Sequence, residues 1–261
     1  MILSKRQIHD FLVQGYLHLP GFFTEHQRAW SFLKENGYMD CAETWLDVSQ
    51  GIDPKFLEFE KPIAPLAQQI LKSDAVLTTV QVSNIRSQSP AWNKFHIDGE
   101  NHVMVRQESF DGMPWFKVIV GIFLTPTRKN TGELFICPGG HWQVQNFFKK
   151  NAHRFWHQGQ FVANSREVYQ EMVQSLSIEF VPLYADPGDV VMFHCLVPHT
   201  VGANQDQDRP VTYYRYGMYE HKGEKALTNM WQGFEGLEQA LPLLDENELL
   251  HSRVDRQGVL V

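Results

Sequence analysis

The chain has 261 residues, of which 43% are hydrophobic and 20% charged, which excludes disorder, collagen and coiled coil as its dominant state and leaves one globular unit with a sizeable core. A formal net charge of −7 argues against nucleic acid or an anionic membrane as the main partner, and the longest apolar run, Val118 to Leu124, is far short of a bilayer span. Aromatic residues at 13% and 12 histidines give unusual capacity for apolar pocket walls and for metal ligation.

The N-terminal MILSKRQIHDF lacks the apolar stretch and small-residue cleavage site of a secretory signal. Three widely spaced cysteines, Cys41, Cys137 and Cys195, form no C-x-x-C pair and read as small buried apolar residues. Both features suit a cytoplasmic, reducing setting.

Ser4 and Gln7 are spaced as a capping box and open a helix with Ile8, Phe11, Leu12 and Tyr16 at helical spacing. GYLHLPGFF follows as a strand-like link. Thr24 and Gln27 repeat the box, Ala29, Trp30, Phe32 and Leu33 supply a buried face, and Gly37 stops the second helix. Pro62 opens a third helix through Ile63, Leu66 and Ile70.

From Val76 onward short β-rich runs alternate with Gly, Pro, Asn and Asp. The runs are VLTTVQVSNIR, NKFHID, KVIVGIFL, ELFICP, EFVPLY, DVVMFH, a piece around PHTVG, and PVTYYRY, and an eight-stranded jelly roll needs that many. One helix interrupts them, capped by Ser165 with Val168, Tyr169, Met172, Val173 and Leu176 on one face. The expected organisation is a single domain over 1–261, mainly β with flanking helices: a helical N-terminal layer (1–75), a jelly-roll core (76–217) and a C-terminal extension (218–261) with a helical element from Gly236.

The chemistry-bearing string is Phe95-His96-Ile97-Asp98-Gly99. Side chains alternate faces along a strand, so His96 and Asp98 point the same way while Phe95 and Ile97 pack on the other side. One more histidine from a facing strand completes a His-Asp-His facial triad, which leaves one face of an iron(II) ion open. That histidine is offered about a hundred residues later in GDVVMFHCLVPHTVG, where both His194 and His199 are available. Beyond them lie Arg209 and Arg215, on one strand face by parity in RPVTYYRY. An arginine fork holds a carboxylate bidentately, as a metal-chelating dicarboxylate would require at its far end.

These residues resemble the phytanoyl-CoA dioxygenase family of non-haem iron(II)/2-oxoglutarate oxygenases, over most of the chain. FLVQGYLHLPGFFTEHQ is similar to the family's opening helix and strand, FHID to its H-x-D, NTGELFICPGGHW to its "NG-x-L-x-x-x-PGSH" segment, and PGDVVMFHCLVPHTVGANQDQDRP to its distal histidine and arginine region. The resemblance implies a double-stranded β-helix, a cupin-like jelly roll. It also implies His96, Asp98 and His199 as catalytic iron ligands and Arg209 on the 2-oxoglutarate C5 carboxylate, with His194 left to support or packing and Arg215 as the alternative anchor. Gln81, Asn84 and Arg86 on the first β-run are further candidates for hydrogen bonds to 2-oxoglutarate. His141 is a candidate for touching co-substrate or closing a turn. Trp92, Trp115, Phe116 and Trp142 are candidates for a pocket or lid, and His102 shares the face of His96 only if that strand continues past Gly99.

Relatives that halogenate carry a small residue in place of the carboxylate, so Asp98 points to hydroxylation or another C–H oxidation. The implied activity uses iron(II), 2-oxoglutarate and O2 and releases succinate and CO2. The substrate is a small-molecule metabolite, since only Lys149, Lys150 and Arg154 offer a basic cluster for a CoA phosphate. The competing reading is a cupin-like metal-binding protein or non-redox metalloenzyme, which has no need of Arg209.

Overall fold

The computed structural model describes residues 2–72, 75–92, 95–98, 116–157, 160–161, 165–217, 230–231 and 233–237. His102, Trp115 and the rest of 99–115 lie outside these residues, and of the expected C-terminal helical element only its start is described, in a short 3-10 turn Glu235–Leu237.

Ser4 caps α1 (Lys5–Gln14) with the full capping box, its side chain accepting from the Gln7 backbone while the Gln7 side chain reaches back. Tyr16, expected on this helix, instead starts β1 (Tyr16–Leu19). α2 (His26–Glu35) begins at Glu25 with no side-chain cap, so the Thr24 box does not form, whereas Gly37 follows the helix at φ +74°, a left-handed stop open to glycine at little cost. Several elements went unread in the sequence, among them β2 (Glu43–Asp47), α3 (Pro54–Glu60), capped by Asp53, and α5 below. Pro62 falls in the turn after α3, and the third expected helix starts two residues later as α4 (Ala64–Leu71), with proline in its first turn.

Seven of the eight expected β-runs form strands: β3 (Leu77–Ile85), β4 (Val118–Phe123), β5 (Leu134–Ile136), β8 (Val181–Leu183), β9 (Val190–His194), β10 (His199–Val201) and β11 (Arg209–Tyr216). NKFHID contributes one bridge, His96 to His199, rather than a strand. Between β5 and β8 lie α5 (Gly140–Phe155), the two-residue strands β6 (Trp156–His157) and β7 (Gln160–Phe161), and α6 (Ser165–Ser175). Two helices therefore interrupt the β-runs where one was expected; PGGHW opens the first of them, the unexpected α5, without the Ser, Thr, Asp or Asn signal that marks most starts.

Antiparallel pairing builds a major sheet in the order β1-β9-β4-β11-β3-β2 and a minor sheet β10-β5-β8. This is the double-stranded β-helix expected, with β1 and β2 from the N-terminal layer extending the major sheet. Strands β4, β9 and β11 are buried along their whole length, which explains their near-continuous apolar texture: one face meets the interior and the other the helices. On the helical side, the Tyr214 hydroxyl donates to the Phe56 carbonyl (3.2 Å) and Tyr216 bonds Glu60 (3.1 Å), pinning β11 to α3. Phe11, Phe56, Phe59, Leu66, Ile70 and Val82 are among the side chains sealed in this layer, each contributing about 1.5–3 kcal/mol.

His194 lies on that helical side with Val190 and Met192, while its neighbour Phe193 faces the interior. Its Nε2 donates to the Met230 carbonyl (3.1 Å) and its Nδ1 accepts from the Leu196 backbone (3.0 Å), so both ring nitrogens are committed. His141 is buried beside it, donating from Nε2 to the Leu12 carbonyl at the end of α1 (3.0 Å). Burial pushes His194 down to about 4, and burial with the neighbouring His194 holds His141 well below its ordinary value. In the unfolded chain each ring protonates near pH 6.5, so as pH falls the unfolded state takes up protons first. Stability is thus complete above about pH 6.5 and declines toward pH 4 by up to about 1.4 kcal/mol per pH unit per histidine. Urea midpoints of the metal-free protein are expected to fall between pH 7 and pH 5, with a shallower fall in His194→Gln; equal slopes would contradict this.

Cys137 and Cys195 are buried as expected, and burial pushes the Cys137 thiol up to about 11; Cys41 is exposed, contrary to expectation, because it sits in the loop between α2 and β2. Among the described residues no helix is long and apolar enough to cross a membrane.

Candidate metal centre

The segment ending in Asp98 and the segment 195–199 dock side by side. His96 and His199 exchange both backbone hydrogen bonds (3.0 and 2.9 Å), and the Asp98 amide donates to the Cys195 carbonyl (3.1 Å). Alternation does the rest: Ile97 is fully buried and Phe95 packs on Phe180, so His96 and Asp98 share the opposite side. Asp98 Oδ1 lies 3.5 Å from His96 Nε2 and 3.6 Å from His199 Nε2, and one donor atom from each residue fits within a 4.8 Å cluster. Ligands at right angles around an ion about 2.1 Å away stand about 3 Å apart, so the three residues fit a metal with small adjustments.

Two of the three, His199 and Asp98, are poised to offer a lone pair to an ion. The Nδ1 of His199 lies 2.9 Å from the Val197 carbonyl, which can only accept, so Nδ1 carries the proton and Nε2 keeps its lone pair. Burial, then the neighbouring His96, pushes His199 down to about 4, leaving a neutral imidazole at neutral pH. Burial alone would raise the Asp98 carboxyl, but the Arg215 guanidinium and the two histidines outweigh it and hold it far below the usual carboxylate range. Phe193 closes one side, edge-on to His199 at 5.2 Å.

Arg209, Val211, Tyr213 and Arg215 line the interior face of β11 opposite Ile85, Ser83, Gln81 and Thr79 of β3. Arg209 is 1% exposed. Its Nη2 donates to the Gly132 carbonyl, while Nε and Nη1 are buried with no hydrogen-bond partner among the described residues. The Tyr213 phenol comes within hydrogen-bonding reach of the guanidinium, without the geometry that would satisfy Nε or Nη1, and Glu133 adds a nearby negative charge. Buried guanidinium nitrogens without acceptors are costly, and a bound carboxylate would satisfy both.

Tyr213 was missed in the sequence, although the parity that pairs Arg209 with Arg215 places it between them. It feels both arginines and Asp98, and burial keeps its phenol neutral. Gly121 makes room for it: a Cβ there would meet Tyr213 Cε1 at 2.6 Å and Val191 Cγ1 at 3.1 Å. Gly121→Ala is expected to cost about 1–3 kcal/mol, read as a lower urea midpoint, and to displace the Tyr213 ring from between the arginines.

The other candidates are distributed unevenly. Gln81 faces the interior and accepts from Arg215 (2.7 Å). Asn84, three residues on, is on the opposite face of β3, bonded to the Met39 carbonyl and Asp208; the odd separation from Gln81 already forbade a shared face. Arg86 is tied to Met39 and Asp208 outside the cluster, and His141 and Trp142 both donate to the Leu12 carbonyl under α1. Trp92 is exposed and lies 5.4 Å from the His96 ring, and Phe116 packs on Arg215. Lys149 and Lys150 are exposed on α5.

A family model described as phytanoyl-CoA dioxygenase matches residues 48–211. No curated protein matches the chain. Among solved structures, the chain is similar to EctD from S. alaskensis with 2-oxoglutarate and 5-hydroxyectoine, at 18% identity and TM-score 0.58 over 83% of this chain and 76% of that one. It is similar to the non-heme alpha ketoglutarate dependent carbocyclase SnoK from nogalamycin biosynthesis, at 17% identity and TM-score 0.57 over 83% and 85%. HygX from Streptomyces hygroscopicus with nickel and 2-oxoglutarate follows, at 15% identity and TM-score 0.56 over 85% and 89%. Identities this low speak for a shared fold.

Proposed function

The chain belongs to the phytanoyl-CoA dioxygenase family, and from that premise we propose that it is an iron(II)- and 2-oxoglutarate-dependent dioxygenase that oxidises a C–H bond of a small-molecule metabolite, with hydroxylation as the outcome. The reading treats 1–261 as one catalytic domain, with His96, Asp98 and His199 as metal ligands and Arg209 as the anchor for the far carboxylate of 2-oxoglutarate. Iron(II) with 2-oxoglutarate supplies, when bound, the oxygen activation this reaction needs, with release of succinate and CO2.

The protein's own contribution is placement. His199 presents Nε2 because Val197 holds its Nδ1 proton, and Asp98 presents Oδ1 because Arg215 holds Oδ2. Arg209 is fixed by Gly132 and keeps two donors free. Phe193 and the neutral Tyr213 phenol line the interior beside the ligands, which limits water there. Asp98 also fills the position that a halide would need, which supports oxidation over halogenation.

The observation that carries the proposal is Arg209: a buried cation whose Nε and Nη1 lack an acceptor of good geometry, on the same interior face as the ligand cluster, is suited to the far carboxylate of a metal-chelating dicarboxylate. Anaerobic titration of the iron(II)-loaded protein with 2-oxoglutarate tests it. The weak visible charge-transfer band of a chelated 2-oxo acid is expected, and Arg209→Ala should require far more 2-oxoglutarate to reach it. Iron binding without a band would move the non-redox metal-protein reading ahead.

A further inference from the structure

Arg215 is the second interior arginine, and the two differ in what they already hold. Arg209 holds a neutral carbonyl. Arg215, 3% exposed, donates from Nη2 to Asp98 Oδ2 (3.1 Å) and to Gln81 Oε1 (2.7 Å). Its guanidinium carbon lies 4.4 Å from the Trp45 ring, 5.1 Å from Phe116 and 5.8 Å from Tyr213. Its Nε and Nη1, buried beside these rings, have no hydrogen-bond partner among the described residues. The plane of the fork is therefore set by rings from β2, β11 and the approach to β4, and its reach by Gln81 on β3. The register of β11 on β3 shifts between Arg215 and Tyr216, the kind of irregularity that re-aims a side chain.

Asp98 has much less to hold it. Among the described residues its segment joins the fold through one bridge and one further backbone hydrogen bond, and 95–98 form no strand. The carboxylate's two oxygens are nonetheless divided: Oδ1 faces both imidazole Nε2 atoms, and Oδ2 is taken by Arg215.

We propose that Arg215 is the positioning residue of the metal centre: by gripping Oδ2 it limits Asp98 to one metal-facing oxygen, and Gln81 acts through it by holding the fork. The inference rests on the reading of His96, Asp98 and His199 as metal ligands. An octahedral ion with three protein donors keeps three positions for other ligands, and a second carboxylate oxygen would occupy one of them. A carboxylate already on Arg215 also makes it a poor second site for a dicarboxylate, because two anions would share one cation.

The test is Co(II) titration of the full chain, followed by visible absorption, in wild type, Arg215→Met, Arg215→Lys, Gln81→Leu and the Arg215→Met/Gln81→Leu double variant. Circular dichroism and melting of each metal-free protein report folding. Arg215→Met is expected to weaken Co(II) binding by about 10–100-fold and to change the shape of the d–d bands, which a loss of general stability would not do. Gln81→Leu should have a smaller effect of the same kind, Arg215→Lys should recover part of the affinity, and the double variant should be no worse than Arg215→Met, since Gln81 works only through Arg215. Wild-type affinity and spectrum in Arg215→Met overturn the inference while leaving the ligand set standing. Absence of Co(II) binding in wild type overturns the ligand set and this inference with it. If Arg215→Met does not fold, Gln81→Leu and Arg215→Lys decide, and wild-type spectra in both would overturn it.

Discussion

Asp98→Asn is expected to abolish 2-oxoglutarate turnover and to weaken iron(II) binding by more than about a hundredfold, a larger loss than removing an outer partner of a ligand produces. The substitution keeps the shape of the side chain and removes its charge. The amide is a far poorer metal donor than a carboxylate, and Arg215 is left as a buried cation without its counter-ion. Breaking a buried pair from one side costs about 3 kcal/mol, so the metal-free variant should also unfold at lower urea than wild type. His199→Ala should lose metal and turnover equally but without that charge penalty, because the ring it removes is neutral. Equilibrium dialysis against iron(II), a succinate assay and urea midpoints separate the two effects. Turnover surviving either substitution would refute the ligand assignment.

Arg209→Ala is expected to raise the KM for 2-oxoglutarate by about a hundredfold or more, in line with the 2–5 kcal/mol lost when one partner of a buried, hydrogen-bonded charge pair is truncated. Metal affinity should change little, since Arg209 touches none of the three ligands. Arg209→Lys should not restore the KM: a point charge cannot replace a fork that bonds Gly132 through one nitrogen and leaves two for a carboxylate. Succinate release measured against 2-oxoglutarate concentration reads this directly. An unchanged KM would remove Arg209 as the anchor.

Much of this architecture was legible along the chain because it rests on local rules. The Ser4–Gln7 box and the Gly37 stop are decided within a few residues, and seven of the eight β-runs follow from composition and punctuation. Strand alternation alone put His96 with Asp98 and Arg209 with Arg215, and applied consistently it would also have added Tyr213 and separated Gln81 from Asn84, leaving the register of β3 on β11 to decide which faces the interior. The local rules failed where packing supplied what sequence signals lacked. The start of α2 does not use Thr24, α5 starts at PGGHW without a Ser, Thr, Asp or Asn before it, and β2 is an edge strand whose sequence, ETWLD, shows no apolar alternation although its burial alternates.

By itself, then, the sequence determined a jelly-roll chain with an H-x-D pair, two later histidines and two arginines on one strand face, because periodicity and turn chemistry act over short separations. The tertiary structure decided which of these meet. The backbone bridge between residues about a hundred apart sets His199 against His96 and Asp98, while the register of β9 turns His194 to the helical side. The same packing divides the arginines, Arg215 toward Asp98 and Arg209 toward Gly132, since a side chain's partner depends on what another part of the chain brings within about 3 Å, and no local rule carries that distance.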